Sequence, residues 1–281
     1  MAKAKMFKFN VKNLKYSMAN STILFKESGT GLTYGLTDFN DATIIIDGEL
    51  IVKDGVLINE DWTLILNETP KCVELTATGK VFSITNTGVL TLTGLNYVLV
   101  TLVPVKELAY ANSISLEANY SETKLFGDGE VLGVLGNDKG KTGTISVVNI
   151  EDHYERDCGR LLTVNNAYAD IQQRQSNEHY IYYETEAYEE GQIITIKNWL
   201  FGCVTGKASE SYEQTTEDPV INNYEYALTV LGVNLKNEDG SDNVDENGNT
   251  TKIFRMTSLP EDDGYTDFGD YIKMPIKKGG A

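Results

Sequence analysis

Short runs rich in Val, Ile, Thr and Tyr, with apolar and polar positions alternating, recur along the chain and are punctuated by Gly, Asn and Asp at hairpin spacing. Alternation with a period of two puts successive side chains on opposite faces of a pleated sheet, so these runs predict strands. The clearest lie at residues 144–148, 180–186, 192–199 and 224–230. Residues 150–162 (IEDHYERDCGRLL) alone combine an acidic start, which suits the positive end of a helix, with apolar positions at helical spacing. The expected fold class is therefore all-β with one α-helix, a sandwich or barrel carrying a helix near 151–162.

Between residues 42 and 104, turn signals stand at Asp47-Gly48, Asp54-Gly55, Asn59 to Asp61, Thr78-Gly79 and Thr87-Gly88. A turn about every seven to ten residues is the rhythm of a small β-module. This predicts an inserted β-module at 42–104 within a larger β domain made of 1–41 and 105–281. DGELIVKDGVLI and TGVLTLTG look alike, but no fixed period is sustained, so a solenoid is not expected. Residues 237–251 (NEDGSDNVDENGNTT) are almost wholly polar and predict a solvated hairpin loop.

Charge changes the picture further. The 281 residues hold 24 basic and 41 acidic side chains, a formal charge of -17 that repels phosphate. A nucleic-acid reader working by counterion release is excluded as a first choice. The first 26 residues carry six lysines and no acid, whereas residues 210–270 hold fifteen acids against three bases. No apolar run follows the lysines as a signal-peptide core would, and the most apolar stretch, residues 95–105, is interrupted by Asn96, Thr101 and Pro104. Synthesis in the cytoplasm without membrane association is expected. Cys72, Cys158 and Cys203 are too few and too scattered for a disulfide frame and read as buried or idle thiols.

Candidate chemistry is sparse. Residues 243–248 imitate the start of a calcium loop, but the twelfth position is Phe254 where an EF-hand needs a bidentate Glu, and flanking helices are missing. Two histidines, His153 and His179, cannot build a multi-imidazole metal site and read as structural or surface residues. Ser209 and Ser211 lack the strand-turn-helix setting of a nucleophile elbow. The glycine clusters at 127–130 and 136–140 lack phosphate-loop spacing and read as turns. Tyr180, Tyr182, Tyr183 and Tyr188 would suit a sugar platform or a protein interface, or cover a sheet face. No catalytic, cofactor-binding or metal-ligating residue is assigned, and no enzyme activity is expected.

Laid out in order, three stretches resemble the major tail tube proteins of long-tailed phages of Gram-positive bacteria, the phi13-type major tail proteins. SISLEANYSETKLFGDGEVLG (113–133) is similar to that family's strand ending in an aromatic-x-Asp-Gly turn. KTGTISVVNIEDHYERDCGRLL (141–162) is similar to its Gly-led strand and lone helix, and residues 179–233 resemble its paired strands and final long strand. The opening FNVKNLKYSMAN (9–20) also resembles the family's start. The resemblance covers about two thirds of the chain and omits residues 42–104, where the family has a much shorter connection.

The resemblance implies a tail-tube-type β-sandwich, six copies closing into a hexameric ring by joining their sheets, and rings stacking into the DNA-conducting tube of a virion. It implies partners as well: other copies of the chain, tape measure protein, tail terminator, and distal tail and baseplate proteins, with double-stranded DNA passing through unbound. No cofactor and no membrane partner is implied. The inserted module is expected outside the tube, since a channel sized for a duplex cannot admit six of them. Charge asymmetry adds an expected interface, in which Lys3, Lys5, Lys8 and Lys12 dock on Glu210, Glu213, Glu217 and Asp218 of a neighbour; the alternative is a frayed, solvated terminus. The competing function is a secreted or surface β-sandwich for carbohydrate binding or adhesion, and an enzyme reading comes third.

Overall fold

The computed structural model describes residues 7–19, 22–29, 39, 42–68, 71–85, 89–102, 105–108, 110–127, 130–172, 177–189, 191–209, 223–237 and 241–277. The strands are β1 (Phe7–Met18), β2 (Thr22–Phe25), β3 (Thr43–Ile46), β4 (Glu49–Lys53), β5 (Val56–Leu57), β6 (Thr63–Glu68), β7 (Lys71–Ala77), β8 (Lys80–Thr85), β9 (Leu90–Thr93), β10 (Val98–Thr101), β11 (Lys106–Glu107), β12 (Ala111–Gly127) and β13 (Glu130–Val147). After helix α1 (Asp152–Asp157) come β14 (Leu161–Val164), β15 (Ala167–Asp170), β16 (His179–Glu189), β17 (Gln192–Thr205), β18 (Tyr224–Val230), β19 (Val233–Asn234), β20 (Lys236–Asn237), β21 (Lys252–Ile253), β22 (Arg255–Ser258) and β23 (Ile276–Lys277). Strands thus dominate, with a single short helix among the described residues. The chain divides into two compact units, each assembled from three separated stretches.

The first unit comprises Met1–Tyr16, Lys106–Val233 and Ile253–Gly269. Its eight-stranded sheet runs β11-β1-β16-β17-β18-β13-β12, with β22 also beside β17. Strand β16 is central and reads YIYY because both of its faces are covered: residues 179–184 are all buried. Tyr182 and its cross-strand partner Trp199 lie under residues 265–269, where the Trp199 indole N–H donates to Phe268 O at 2.6 Å. His179, on the opposite face, lies under Tyr154 of α1.

Strand β17 changes partner midway, pairing through Lys197–Leu200 with β22 and through Cys203–Thr205 with β18. The switch turns on Gly202, at φ +63°, where a Cβ would stand 2.7 Å from Gly232 O, so only glycine fits. Strands β12 and β13 are 17 and 18 residues long, yet β18 pairs only with Lys141–Val147. The remainder of the hairpin continues beyond the sheet as a two-stranded arm.

Two expectations need correction here. The Gly-Asn-Asp-Lys-Gly run at 136–140 is not a turn but part of β13, where it forms a bulge opposite Ala118 to Tyr120. Asp138 Oδ1 accepts the Gly140 N–H at 3.0 Å, so the polar side chain closes the bulge instead of reversing the chain. The helix is also shorter than 151–162. Gly159, at φ +72°, follows the Cys158 C-cap; its N–H donates to Arg156 O, and the Arg160 N–H donates to Glu155 O. This pair of bonds is a Schellman stop. Leu161 and Leu162, which completed the helical pattern, begin β14, and the β14–β15 hairpin reverses through Asn165 and Asn166, at φ +52° and +63°.

The second unit comprises Ser17–Val105, Asn234–Lys252 and Asp270–Ala281. A five-stranded sheet, β2-β10-β3-β4-β5, and a four-stranded sheet, β6-β7-β8-β9, share one core. Phe25, Ile44, Ile46, Val98 and Val100 from the first meet Val73, Leu75, Phe82 and Ile84 from the second. Strands TIII and VLVT are buried throughout because the five-stranded sheet is covered on its other face too, where Ile45 and Leu99 pack with Tyr271 and Met274. The Asp47-Gly48 and Asp54-Gly55 turns carry positive φ at both positions, as two-residue hairpins with right-twisted strands require. Thr87-Gly88 lies outside the described residues.

The unit is wider than the module drawn at 42–104. Strand β2 joins β10, residues 270–274 cover the sheet, and a parallel pair forms between β20 and β23. These additions are distant in sequence, and nothing in a local pattern of turns could reveal them.

Candidate assembly surface

Strand β1 alternates Leu14, Tyr16 and Met18 into the interior, and its N-terminal half is kinked by Asn10 and Asn13, both at φ +51°. Asn tolerates that left-handed conformation better than other side chains. The kinks turn its amides toward β16: Asn10 Nδ2 donates to Glu186 Oε2 and Asn13 Nδ2 to Glu184 Oε2, each at 2.8 Å. Lys12 Nζ donates to Glu186 Oε1 at 2.9 Å, and Lys15 Nζ lies 5.6 Å from the Tyr182 ring centroid. The hydrogen bond to Glu186 raises the Lys12 pKa, and the Asn10 amide followed by Lys12 holds Glu186 below the usual carboxylate range.

On the other edge of β1, β11 pairs with Lys15 and Tyr16 and the Leu108 N–H donates to Leu14 O, and among the described residues no strand pairs with the edge before Leu14. A groove of about 660 Å³ runs along this edge, lined by Val11, Asn13, Leu14, Glu107, Tyr110 and His153. His153 Nε2 meets Glu107 O at 2.8 Å, and the imidazole is stacked 5.8 Å from Tyr16. An open backbone edge beside a partly apolar groove is suited to receive an extended strand.

Helix α1 is locked to the sheet by a buried polar cluster. Arg160, fully buried, donates to both carboxylate oxygens of Glu155 at 2.8 and 2.9 Å, and to Thr205 O, Thr205 Oγ1 and Gly206 O. Its guanidinium lies 5.1 and 5.3 Å from the Tyr154 and Tyr226 rings, and the Tyr226 hydroxyl donates to Glu155. The remaining bonds run in one direction. Arg160 donates to Thr205 Oγ1, the Thr205 hydroxyl to Tyr154 Oη at 2.7 Å, and the Tyr154 hydroxyl to His179 Nε2 at 2.9 Å. His179 Nδ1 donates to Asn177 O at 3.0 Å. Because the Asn177 carbonyl can only accept, the proton lies on Nδ1, and in the neutral ring Nε2 then accepts from Tyr154, whose oxygen accepts from Thr205. Burial pushes His179 down to about 4, in the same sense. Burial likewise pushes Cys158 up to about 11, so its thiol is not primed for nucleophilic chemistry.

Of the residues expected at an interface, Lys3, Lys5, Glu210, Glu213, Glu217 and Asp218 lie outside the described residues. Lys8 is placed in β1, and Lys12 is engaged by Glu186 of its own chain. Tyr180, Tyr182 and Tyr183 are buried, which removes them from any sugar platform, while Tyr188 is half exposed. All three cysteines are buried thiols. In the calcium-like loop, Asp245 Oδ1 accepts the N–H groups of Asn247 and Asn249, and Oδ2 accepts the Asn249 amide. Its carboxylate is spent on closing a hairpin.

Among the described residues no three His, Cys, Asp or Glu side chains converge as a metal site, and no helix is long and apolar enough to cross a membrane. The Glu155–Arg160 pair escaped sequence reasoning. Its only trace is an acid five positions before a base across a helix-stopping glycine, a spacing that does not face on a continuous helix. No protein-family model, curated protein or solved structure matches the chain.

Proposed function

We propose that this chain is a tail-tube subunit, assembling with copies of itself into stacked hexameric rings around the DNA-conducting channel of a phage tail. The observation that carries the reading is a large antiparallel sheet open at both ends. Among the described residues, no strand pairs with the outer edge of the 17-residue β12, and β11 covers only two positions of β1. Such edges are a hazard to a monomer and are satisfied when each copy lends an edge to the next. Head-to-tail contacts of this kind close into rings where the rotation permits, and stack without limit along the axis.

The net charge of -17 suits a conduit that must not retain DNA. The tape measure, terminator, distal tail and baseplate proteins would then meet the lumen and the two ends of the tube. The basic arm proposed to reach a neighbour is then Lys3, Lys5 and Lys8, without Lys12, which is held by Glu186. Electron microscopy of the purified chain tests the proposal: rings or tubes are expected, and a monodisperse monomer at all concentrations overturns it.

A further inference from the structure

Residues 151–171, which hold α1 and the β14–β15 hairpin, make no backbone hydrogen bond to another segment among the described residues. The N–H groups of Glu155, Cys158, Gly159, Arg160 and Ile171 all donate within the segment, and the hairpin is a two-stranded sheet by itself. Side chains tie it to the rest of the first unit. At the rim, Asp157 accepts the Tyr16 hydroxyl and pairs with Lys106, both at 2.7 Å, and Lys207 pairs with Asp170 at 3.2 Å. Partly exposed ion pairs of this kind hold little. At the centre, the buried bonds of Tyr154, Glu155 and Arg160 reach β16, β17 and β18.

His179 is the one member of that centre whose charge changes at mildly acidic pH. Its ring donates from Nδ1 to Asn177 O and accepts at Nε2, so a second proton would turn the acceptor into a donor aimed at the Tyr154 oxygen. The Tyr154 and Thr205 hydroxyls can turn to suit it. The added charge has no such remedy. Around the imidazole stand Tyr154, Cys158 and Arg160 from the segment, Cys203 and Thr205 on β17, and Tyr226 on β18. The buried carboxylate of the cluster, Glu155, is already spent on both Arg160 bonds and on Tyr226. Glu178 is exposed, and Asp157 is engaged by Tyr16 and Lys106. A second cation beside Arg160 is therefore disfavoured as long as the segment stays closed.

We propose that residues 151–171 form an acid-released flap, clamped on the sheet while His179 is neutral and lifted when His179 takes up a proton. The device belongs to the single chain and does not depend on what the chain assembles into. Lifting the flap returns the imidazole to water and to its ordinary affinity for a proton, 6.5 against about 4 when closed, so the open form takes up the proton first. Opening is thus favoured as pH falls below 6.5, by about 25-fold between pH 7.5 and pH 5. Off the sheet a helix of six residues does not persist, so its amides meet water, whereas the β16–β17 ladder keeps its own backbone bonds.

Amide hydrogen exchange of the full chain tests this, with each rate divided by its intrinsic value at that pH. At pH 7.5 the Cys158, Gly159 and Arg160 N–H groups should be at least about tenfold less protected than the ladder at residues 193–200, because the flap opens without the sheet. Between pH 7.5 and pH 5 their protection should fall by about 25-fold. His179→Gln keeps an acceptor for the Tyr154 hydroxyl but does not titrate, so it should remove that fall. Three results would each overturn the proposal: flap and ladder exchanging at one rate, flap protection that ignores pH, or an unchanged acid response in His179→Gln. The first two are read on the unmodified chain and decide the matter even where the variant does not fold.

Discussion

Replacing Arg160 with methionine removes five hydrogen bonds from a fully buried position and leaves the Glu155 carboxylate without its cation. Breaking a buried pair by deleting one partner typically costs about 3–5 kcal/mol, because the remaining charge stays desolvated and uncompensated. Replacing both members with apolar side chains costs less than the single change, since no orphan charge remains. What is left is the loss of one partner at Thr205 O, Thr205 Oγ1, Gly206 O and the Tyr226 hydroxyl, about 0.5–1.5 kcal/mol for each bond, and all but the Tyr226 loss are shared by the single variant. The double variant Glu155→Met/Arg160→Met should therefore be more stable than Arg160→Met alone. The two tryptophans make the assay clean, as Trp62 lies in the second unit and Trp199 is buried in the first. In a Trp62→Phe background, urea unfolding followed by Trp199 fluorescence reports the first unit. Singles whose costs simply add, or an Arg160→Met cost below about 1 kcal/mol, would refute the claim that this pair holds the helix.

His179 is neutral when folded, with a pKa of about 4 against 6.5 for the free side chain, so the unfolded chain takes up the proton first. Stability should therefore fall as pH drops from 6.5 to 4, by on the order of 3 kcal/mol, and His179→Gln should flatten that slope in denaturation midpoints. Glu186, Asp242 and Asp245, all held below the usual carboxylate range, contribute little across most of this window. Gly202→Ala forces a Cβ against the Gly232 backbone at positive φ and should lower stability by about 1–3 kcal/mol; an unchanged melting temperature would show that β17 changes partner without needing glycine. Deleting residues 42–104 should yield aggregating protein, because β2, Tyr271 and Met274 lose the sheet they pack on; a soluble product with native far-UV dichroism would contradict the composite second unit. Lys12→Gln should cost under about 1 kcal/mol, as a partly exposed ion pair does, and a larger loss in urea unfolding would assign β1 a different anchor.

The strands were legible where one side of the chain is buried and the other wet, and also where runs such as YIYY and TIII are buried on both. The turns were legible where Asp-Gly supplies positive φ at two successive positions. The helix end was not, because Leu161 and Leu162 continue the helical spacing past a glycine whose backbone bonds end it. The bulge at 136–140 is not legible for a related reason, since Gly, Asn and Asp serve reversals and bulges alike. The make-up of the second unit was invisible, because Tyr271 reaches Leu99 only through long-range packing. At the candidate surface, the lysine-rich start of β1 drew attention as charge, while its governing feature is two asparagines at positive φ that turn their amides onto β16.

The second unit has a consequence for the order of events during synthesis. Its strands between Thr43 and Thr101 leave the ribosome early, but Tyr271 and Met274, which cover Ile45 and Leu99, are made about 170 residues later. At typical elongation rates of 5–20 residues per second that is a delay of roughly 10–30 s. For that interval a nascent chain presents a bare apolar sheet face, a natural binding site for a chaperone and a point of vulnerability to neighbouring nascent copies. Slowing translation after residue 105 would lengthen the exposure, and speeding it would shorten it, without altering one contact in the finished protein.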